Sequence, residues 1–140
     1  MIVIKENSLA TVQPLLTALF AEQRADNGLV SHEPVSQKIA FGAYLDDQLV
    51  GGLIAAQRFE SLLVAQLAVS SHCRKSGTGT QLLKNAEDWA REHGVTTVIL
   101  TTRSNQAAGF YRRNGYEVFG EIADVPIKGL STIYFLKRIG

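Results

Sequence analysis

Cysteine is nearly absent from this sequence. Cys73 stands alone, so no internal disulfide can form. One cysteine and three histidines give no metal-ligand spacing, and no metal is expected. No apolar run approaches the ~20 residues that span a bilayer. The first ten residues, MIVIKENSLA, lack a basic segment followed by a long apolar stretch, so no secretory leader is expected. A reducing cytoplasm is the expected compartment. Neither sign of charge dominates: 14 Lys and Arg face 13 Asp and Glu, a formal net charge of +1. No global field therefore points to nucleic acid or to an anionic membrane, and neither is expected as a partner. Linkers, low-complexity segments and internal repeats are also missing.

The chain that remains is an ordinary globular one. Its 140 residues are 46% hydrophobic and 19% charged, which fits one domain over 1–140. A domain of this size buries roughly 68–70% of the surface its unfolded chain exposes, enough for a core without disulfides. Met1–Lys5 is β-rich and predicts a first strand. A helix follows, capped by Ser8 or Thr11, with Leu15, Leu16, Leu19 and Phe20 as its apolar face. Pro14 suits the first turn of a helix capped by Thr11 and would kink one begun at Ser8. Residues 29–38 read as loop or short helix. Ile39–Leu45 and Leu49–Phe59 form a hairpin about Asp46-Asp47-Gln48, with a bulge suggested by Gly51-Gly52. Ser61–Val69 reads as a strand buried on both faces. From Gly79 the pattern turns helical, with Leu82, Leu83, Ala86, Trp89 and Ala90 on one face and Gly94 at its end. A strand over Val95–Thr102, a short helix over Ser104–Arg113 capped by Ser104, and strands over Tyr116–Ile122 and Thr132–Arg138 complete the order. Antiparallel strands followed by one β-α-β crossover predict an α/β domain around a single mixed sheet.

The chemistry concentrates in CRKSGTGTQLL, residues 73–83. No Lys follows Gly79, which rules out the nucleotide loop Gly-x-x-x-x-Gly-Lys-Ser/Thr. Leu82 stands where a dinucleotide fingerprint needs its third glycine, and the next strand ends in Thr101-Thr102-Arg103 rather than an acid. What is left is an Arg-x-x-Gly-x-Gly turn between a strand and a helix. Glycines let a backbone approach an anion. The free N–H groups and dipole of a helix start favour negative charge. Arg74 and Lys75 add cationic donors. A plain glycine turn with two solvated bases would have the same spacing.

The strand Leu67-Ala68-Val69, the turn Arg74-Lys75-Ser76-Gly77-Thr78-Gly79 and, some thirty residues on, Phe110-Tyr111-Arg112-Arg113-Asn114-Gly115-Tyr116 together resemble the GNAT N-acetyltransferase superfamily. The element order matches over nearly the whole chain. The resemblance implies an acyl-CoA N-acyltransferase fold: a single mixed, mostly antiparallel sheet flanked by helices, with the 67–69 strand splayed from its neighbour at 95–102. It implies an enzyme that moves an acetyl group from acetyl-CoA directly to a primary amine of a small molecule. Arg74, Lys75, Ser76, Gly77, Thr78, Gly79 and Thr80 would hold the pyrophosphate. The main chain of Leu67, Ala68 and Val69 would pair with the pantetheine arm, and Val69 or Ala68 would polarise the thioester carbonyl. Tyr111 would protonate the leaving thiolate; its phenol pKa of ~10 suits that task. Tyr111 in a bland role would simply pack on the sheet, and Tyr116 reads as structural.

One departure stands out. Relatives often carry Asn seven residues before the tyrosine. Here Ser104 holds that place and Asn105 follows, as a candidate cofactor contact or a helix cap. His32, Glu33 and Gln66 are the candidate acceptor-side residues, and a dedicated general base is not required when water takes the amine proton. Cys73 reads as a packing residue, Trp89 as core, and His72 as a loop residue. Two other readings remain: a non-catalytic acyl-CoA-binding regulatory module, and acetylation of a protein or peptide amine. Homodimers are common in the superfamily, and the closing strands show no decisive interface pattern.

Overall fold

Asp46 (φ 48°) and Asp47 (φ 66°) both sit in the left-handed region. This is the two-residue turn whose twist matches paired strands, and Asp tolerates it better than most residues. The turn joins β1, Ser36–Leu45, to β2, Gln48–Arg58. In this computed structural model, residues 1–28, 36–74, 76–104 and 107–140 are described. They fall into two compact units, Met1–Pro34 and Val35–Gly140.

The first unit holds α1, Leu9–Asp26. Ser8 caps it: its Oγ accepts from Thr11 N–H at 3.2 Å. The helix runs on through Pro14, which therefore lies beyond the first turn. Met1–Lys5 is not a strand and joins no ladder. β-propensity expresses itself through a neighbouring strand and a packed face, and these residues have no ladder partner.

The second unit is built on one sheet. β3 is Ser61–Val69, β4 Thr97–Arg103, β5 Glu117–Ala123 and β6 Ser131–Arg138. Among the described residues the strand order is β1-β2-β3-β4-β6-β5, with β3–β4 the parallel pair. The crossover between those two carries α2, Thr78–Glu92. The tight β2–β3 turn forces Phe59 to φ 54°. Gln57, buried beneath it, donates through Nε2 to the carbonyls of Phe59 (3.0 Å) and His93 (3.2 Å), which holds that conformation in place.

α2 lies on β1, β2 and β3. Leu82, Leu83, Ala86 and Ala90 meet Leu53, Ala55, Leu62 and Val64 from the sheet, with Val98, Leu100 and Phe135 continuing the core across β4 and β6. Burying each of the large side chains stabilises the fold by roughly 1.5–3 kcal/mol. Trp89 is only partly buried; it packs on the rim of this core and stacks on His93 at 3.9 Å. Cys73 is buried, in a 3₁₀ turn at Ser71–Cys73. The last helix, α3, is shorter than its pattern suggested: Ala108–Arg113. Ser104 does not cap it. Instead Ser104 bonds across to Ser131 in both directions, N–H to carbonyl at 2.9 Å and Oγ from N–H at 3.2 Å.

Candidate active site

The parallel pairing of β3 and β4 runs from Ser61↔Thr97 to Val64↔Leu100 and stops. Past it, Gln66–Val69 keeps a ladder only with β2, and Thr101–Arg103 only with β6. The two central strands are therefore splayed, as the resemblance implied. A bulge marks the place. Ile54 pairs with Gln66 but Ala55 with Val64, so Ala65 is the extra residue. The bulge reverses the alternation of β3. Before it, Leu62 and Val64 point to the core. After it, Leu67 and Val69 do, and Gln66 and Ala68 face the opposite side of the sheet. A second bulge, at Val50, sits one residue before Gly51-Gly52, where a bulge was expected.

The main chain of Val69 turns toward the gap. Ser70 N–H reaches back to Val50 C=O at 2.7 Å, on the β2 side. Alternation puts the groups of Val69 on the other side. There Val69 C=O accepts from Arg74 Nε at 3.1 Å. Arg74 thus ties the loop to the end of β3.

Gly77 carries φ 83°, a conformation glycine reaches without strain. It is the residue before α2, and its carbonyl receives the first bond of that helix, from Gln81 N–H at 3.0 Å. The amides of Thr78, Gly79 and Thr80 precede that bond and belong to the open start of the helix. Ser76 Oγ donates to Cys73 C=O and lies 2.7 Å from Thr78 Oγ1, which fixes the turn from within. Gly79 is needed for closeness. A Cβ there would lie 3.2 Å from the Phe110 ring of α3 and 3.9 Å from Val69 Cγ2. The loop, the end of β3 and α3 therefore converge. Such a start, with free amides, a left-handed glycine and a nearby guanidinium, suits a phosphate group.

Tyr111 follows Phe110 on α3. Its ring is buried among Phe110 (5.2 Å), Phe135 (5.7 Å) and Tyr116 (6.0 Å). Burial raises its pKa above the ordinary value of 10.0. Its hydroxyl bonds to no described residue, while among the described residues no fully buried side-chain oxygen lacks a partner. The hydroxyl therefore keeps contact with the solvent-filled side. Tyr116 differs. Its hydroxyl donates to Glu87 at 2.9 Å in the interior, and burial first, then Glu87, pushes its pKa up strongly. Glu87 also receives Lys137 Nζ at 2.8 Å, and that ammonium reaches Asn114 C=O at 3.0 Å. This buried acid ties α2 to the turn after α3. Its signal in the sequence was an acid set inside the stripe Leu83, Ala86, Ala90.

Gln66 and Ala68 line a groove of about 530 Å³ on the face away from α2, with Ala40, Gly42, Tyr44 and Ile54. A second, more polar cleft of about 370 Å³ is lined by Thr101, Thr102, Arg103, Pro126 and Thr132. Gly42 and Gly52, which share the face of Ala68, put no side chain into the first groove; the sequence showed Gly52, with Gly51, only as a bulge. His32, Glu33, Lys75 and Asn105 lie outside the described residues.

This sheet, with its parallel central pair opened beyond a bulge, is that of the acyl-CoA N-acyltransferase fold. A model of the acetyltransferase (GNAT) domain matches residues 36–118, and the chain belongs to that family of acetyltransferases. It is 34% identical over 93 residues to blasticidin-S acetyltransferase of Streptomyces morookaense, covering 66% of this chain and 68% of that one. It is 29% identical over 100 residues to streptothricin acetyltransferase A of Bacillus subtilis, covering 69% and 58%. The chain thus spans less than two thirds of the second relative. An acetyltransferase from Bacillus cereus superposes with a TM-score of 0.84 at 25% identity, over 98% of this chain and 97% of that chain.

Proposed function

We propose that this acetyltransferase takes the acetyl group of acetyl-CoA and transfers it directly to a primary amine of a small molecule. The convergence of Val69, Gly79 and Phe110 at the open start of α2 carries the reading. It brings together the open amides of a helix start, a strand end with no strand partner on one side among the described residues, and the helix that carries Tyr111, which supports an anion site there. Gly77, Thr78, Gly79 and Thr80 would receive the pyrophosphate on backbone amides, with Ser76 fixing the turn and Arg74 and Lys75 adding positive charge. Acetyl-CoA supplies an activated thioester. Val69, rather than Ala68, would polarise its carbonyl, because the peptide groups of Val69 face the gap. Oxyanion donors of this kind are worth about 2.7–4 kcal/mol in related chemistry. Tyr111 would give its proton to the departing thiolate. Its raised pKa keeps it protonated across the neutral range, as an acid must be.

A small-molecule acceptor fits two clefts of a few hundred Å³ flanking the gap on one face. The names of the two antibiotic-modifying relatives point the same way. The test is a screen of primary amines with acetyl-CoA, read by thiol release and by the mass of the product. An N-acetylated product supports the proposal. Acetylation confined to peptide amines would replace its acceptor class.

A further inference from the structure

α3 has six residues, Ala108–Arg113, far short of the ~12–15 that let a helix hold on its own. Ala107, the residue before it, has no side chain that could cap it. Its anchors lie at the other end. Asn114 Nδ2 donates to Phe110 C=O at 2.9 Å, and Tyr116 N–H donates to Tyr111 C=O at 3.0 Å. The turn that makes these bonds is held from outside. Glu87 of α2 is only 3% exposed. Its Oε2 accepts from the Tyr116 hydroxyl at 2.9 Å and its Oε1 from Lys137 Nζ at 2.8 Å; that ammonium also donates to Asn114 C=O at 3.0 Å. Gly115 makes room for it, with φ 89° and no Cβ, which would lie 3.3 Å from Lys137 Cε.

Glu87 shares its helix with the open amides of Thr78, Gly79 and Thr80, and stands about 12 Å along the axis from Gly79. One side chain therefore links the element proposed to receive the pyrophosphate to the element that carries Tyr111. The Tyr111 ring rests on the same anchor, edge-on to Tyr116 at 6.0 Å. Arg91, one turn further along α2, is engaged elsewhere, with Asp88 Oδ1 at 3.1 Å and Ile139 C=O at 3.3 Å. A buried ion pair contributes little net stability, because its desolvation offsets much of the attraction; what it can supply is a fixed geometry. Proton transfer needs that geometry, since the acid must lie within hydrogen-bond reach of the atom it serves.

We infer that Glu87 is a positioning residue for the transfer: through Tyr116 and Lys137 it sets the Tyr111 phenol at a fixed place relative to the start of α2, so that a coenzyme held there by its pyrophosphate meets the phenol with its sulfur. This deepens the proposed transfer chemistry and rests on it. Glu87 itself touches neither donor nor acceptor, because both its oxygens are taken by Tyr116 and Lys137.

The test uses the full chain, with coenzyme A itself as the probe. Two quantities are read: its Kd, and the pH at which its bound thiol ionises, followed by the ultraviolet absorbance of the thiolate. A phenol that donates to the sulfur favours the thiolate, so the bound thiol should ionise about one pH unit lower in the native protein than in Tyr111→Phe. Glu87→Gln should bring it to the Tyr111→Phe value, a roughly tenfold change in thiol ionisation, with Kd kept within about threefold. In the Tyr111→Phe background, Glu87→Gln should add no further shift. If Glu87→Gln does not fold, Tyr116→Phe removes one of the two links, keeps the ring, and should give part of the same shift. An unmoved thiol in these variants, an equal shift with and without the Tyr111 hydroxyl, or a Kd weakened in step with the shift overturns the inference. The transfer chemistry beneath it fails differently, and takes this inference with it: coenzyme A does not bind, or the native protein and Tyr111→Phe ionise the thiol alike.

Discussion

Tyr111 and Tyr116 share one aromatic cluster, with ring centres 6.0 Å apart, yet their hydroxyls meet different surroundings. The first is unpaired and reaches solvent; the second is locked on Glu87. That difference separates a reacting group from a structural one. Tyr111→Phe keeps the ring packing and removes the proton. It should lower kcat by roughly 10²–10⁴, the range for a positioned acid, while leaving acetyl-CoA binding nearly intact. Steady-state kinetics beside a binding titration would check this, and unchanged turnover would remove Tyr111 from the mechanism. The Tyr116 phenol acts on stability. Its folded pKa is raised, so above the ordinary value of 10.0 the folded protein holds a proton that the unfolded chain has lost. Stability should therefore be full below that pH and fall as pH rises above it. Tyr116→Phe should flatten the fall, measured as denaturation midpoint against pH. An unaltered slope would contradict the buried Tyr116–Glu87 bond. The aromatic motif was legible in the sequence; the split of labour within it was only partly so. Glu87 was not seen at all, because its burial depends on Tyr116 and Lys137, which lie 29 and 50 residues away along the chain.

At the scale of elements, the informative features are departures from regularity. The bulge at Ala65 aims Gln66 and Ala68 at one face and Val69 at the start of α2. Deleting Ala65 closes the bulge into a continuous ladder in which Gln66 and Ala68 keep their face, and so removes the local bend and twist where β3 parts from β4. Activity should be lost, together with acetyl-CoA binding, even where the variant still unfolds cooperatively. Retained turnover would mean that the bulge has no part in the site. Gly79 tests the same convergence from the helix side. Gly79→Val puts a branched side chain where even a Cβ lies 3.2 Å from Phe110. It should weaken acetyl-CoA binding by at least tenfold, or about 1.4 kcal/mol, by pushing α3 from the loop. The succession of helices and strands after Met1–Lys5 was legible from periodicity, since it follows from local spacing. The bounds of Ser61–Val69 were read to the residue, but its expected burial on both faces was not found: Leu63, Ala65, Gln66 and Ala68 are exposed, because α2 covers only the other face. The register of β2 on β3 is a non-local property, so its bulge at Ala65 had no sequence signal. Ser104 was misread for the same reason: its cap-like position is overridden by pairing with Ser131. The Met1–Lys5 strand failed because propensity without a partner edge makes no ladder.

For the molecule as a whole, composition bounds what the site can bind. A net charge of +1 gives no global attraction to anions. Binding of a phosphorylated ligand must then rest on the local arrangement of Arg74, Gly77, Gly79 and the opening of α2. The most direct test is a thermal-shift titration with acetyl-CoA, CoA, ATP and NAD side by side. At 100 times its Kd a ligand adds ~2.7 kcal/mol of stability, a shift of a few degrees for a domain this size. Stabilisation by acetyl-CoA and CoA, with none from ATP or NAD, is the predicted result. No response to either coenzyme A species, or a response to ATP or NAD in their place, would contradict the assignment of this loop and the transfer chemistry built on it.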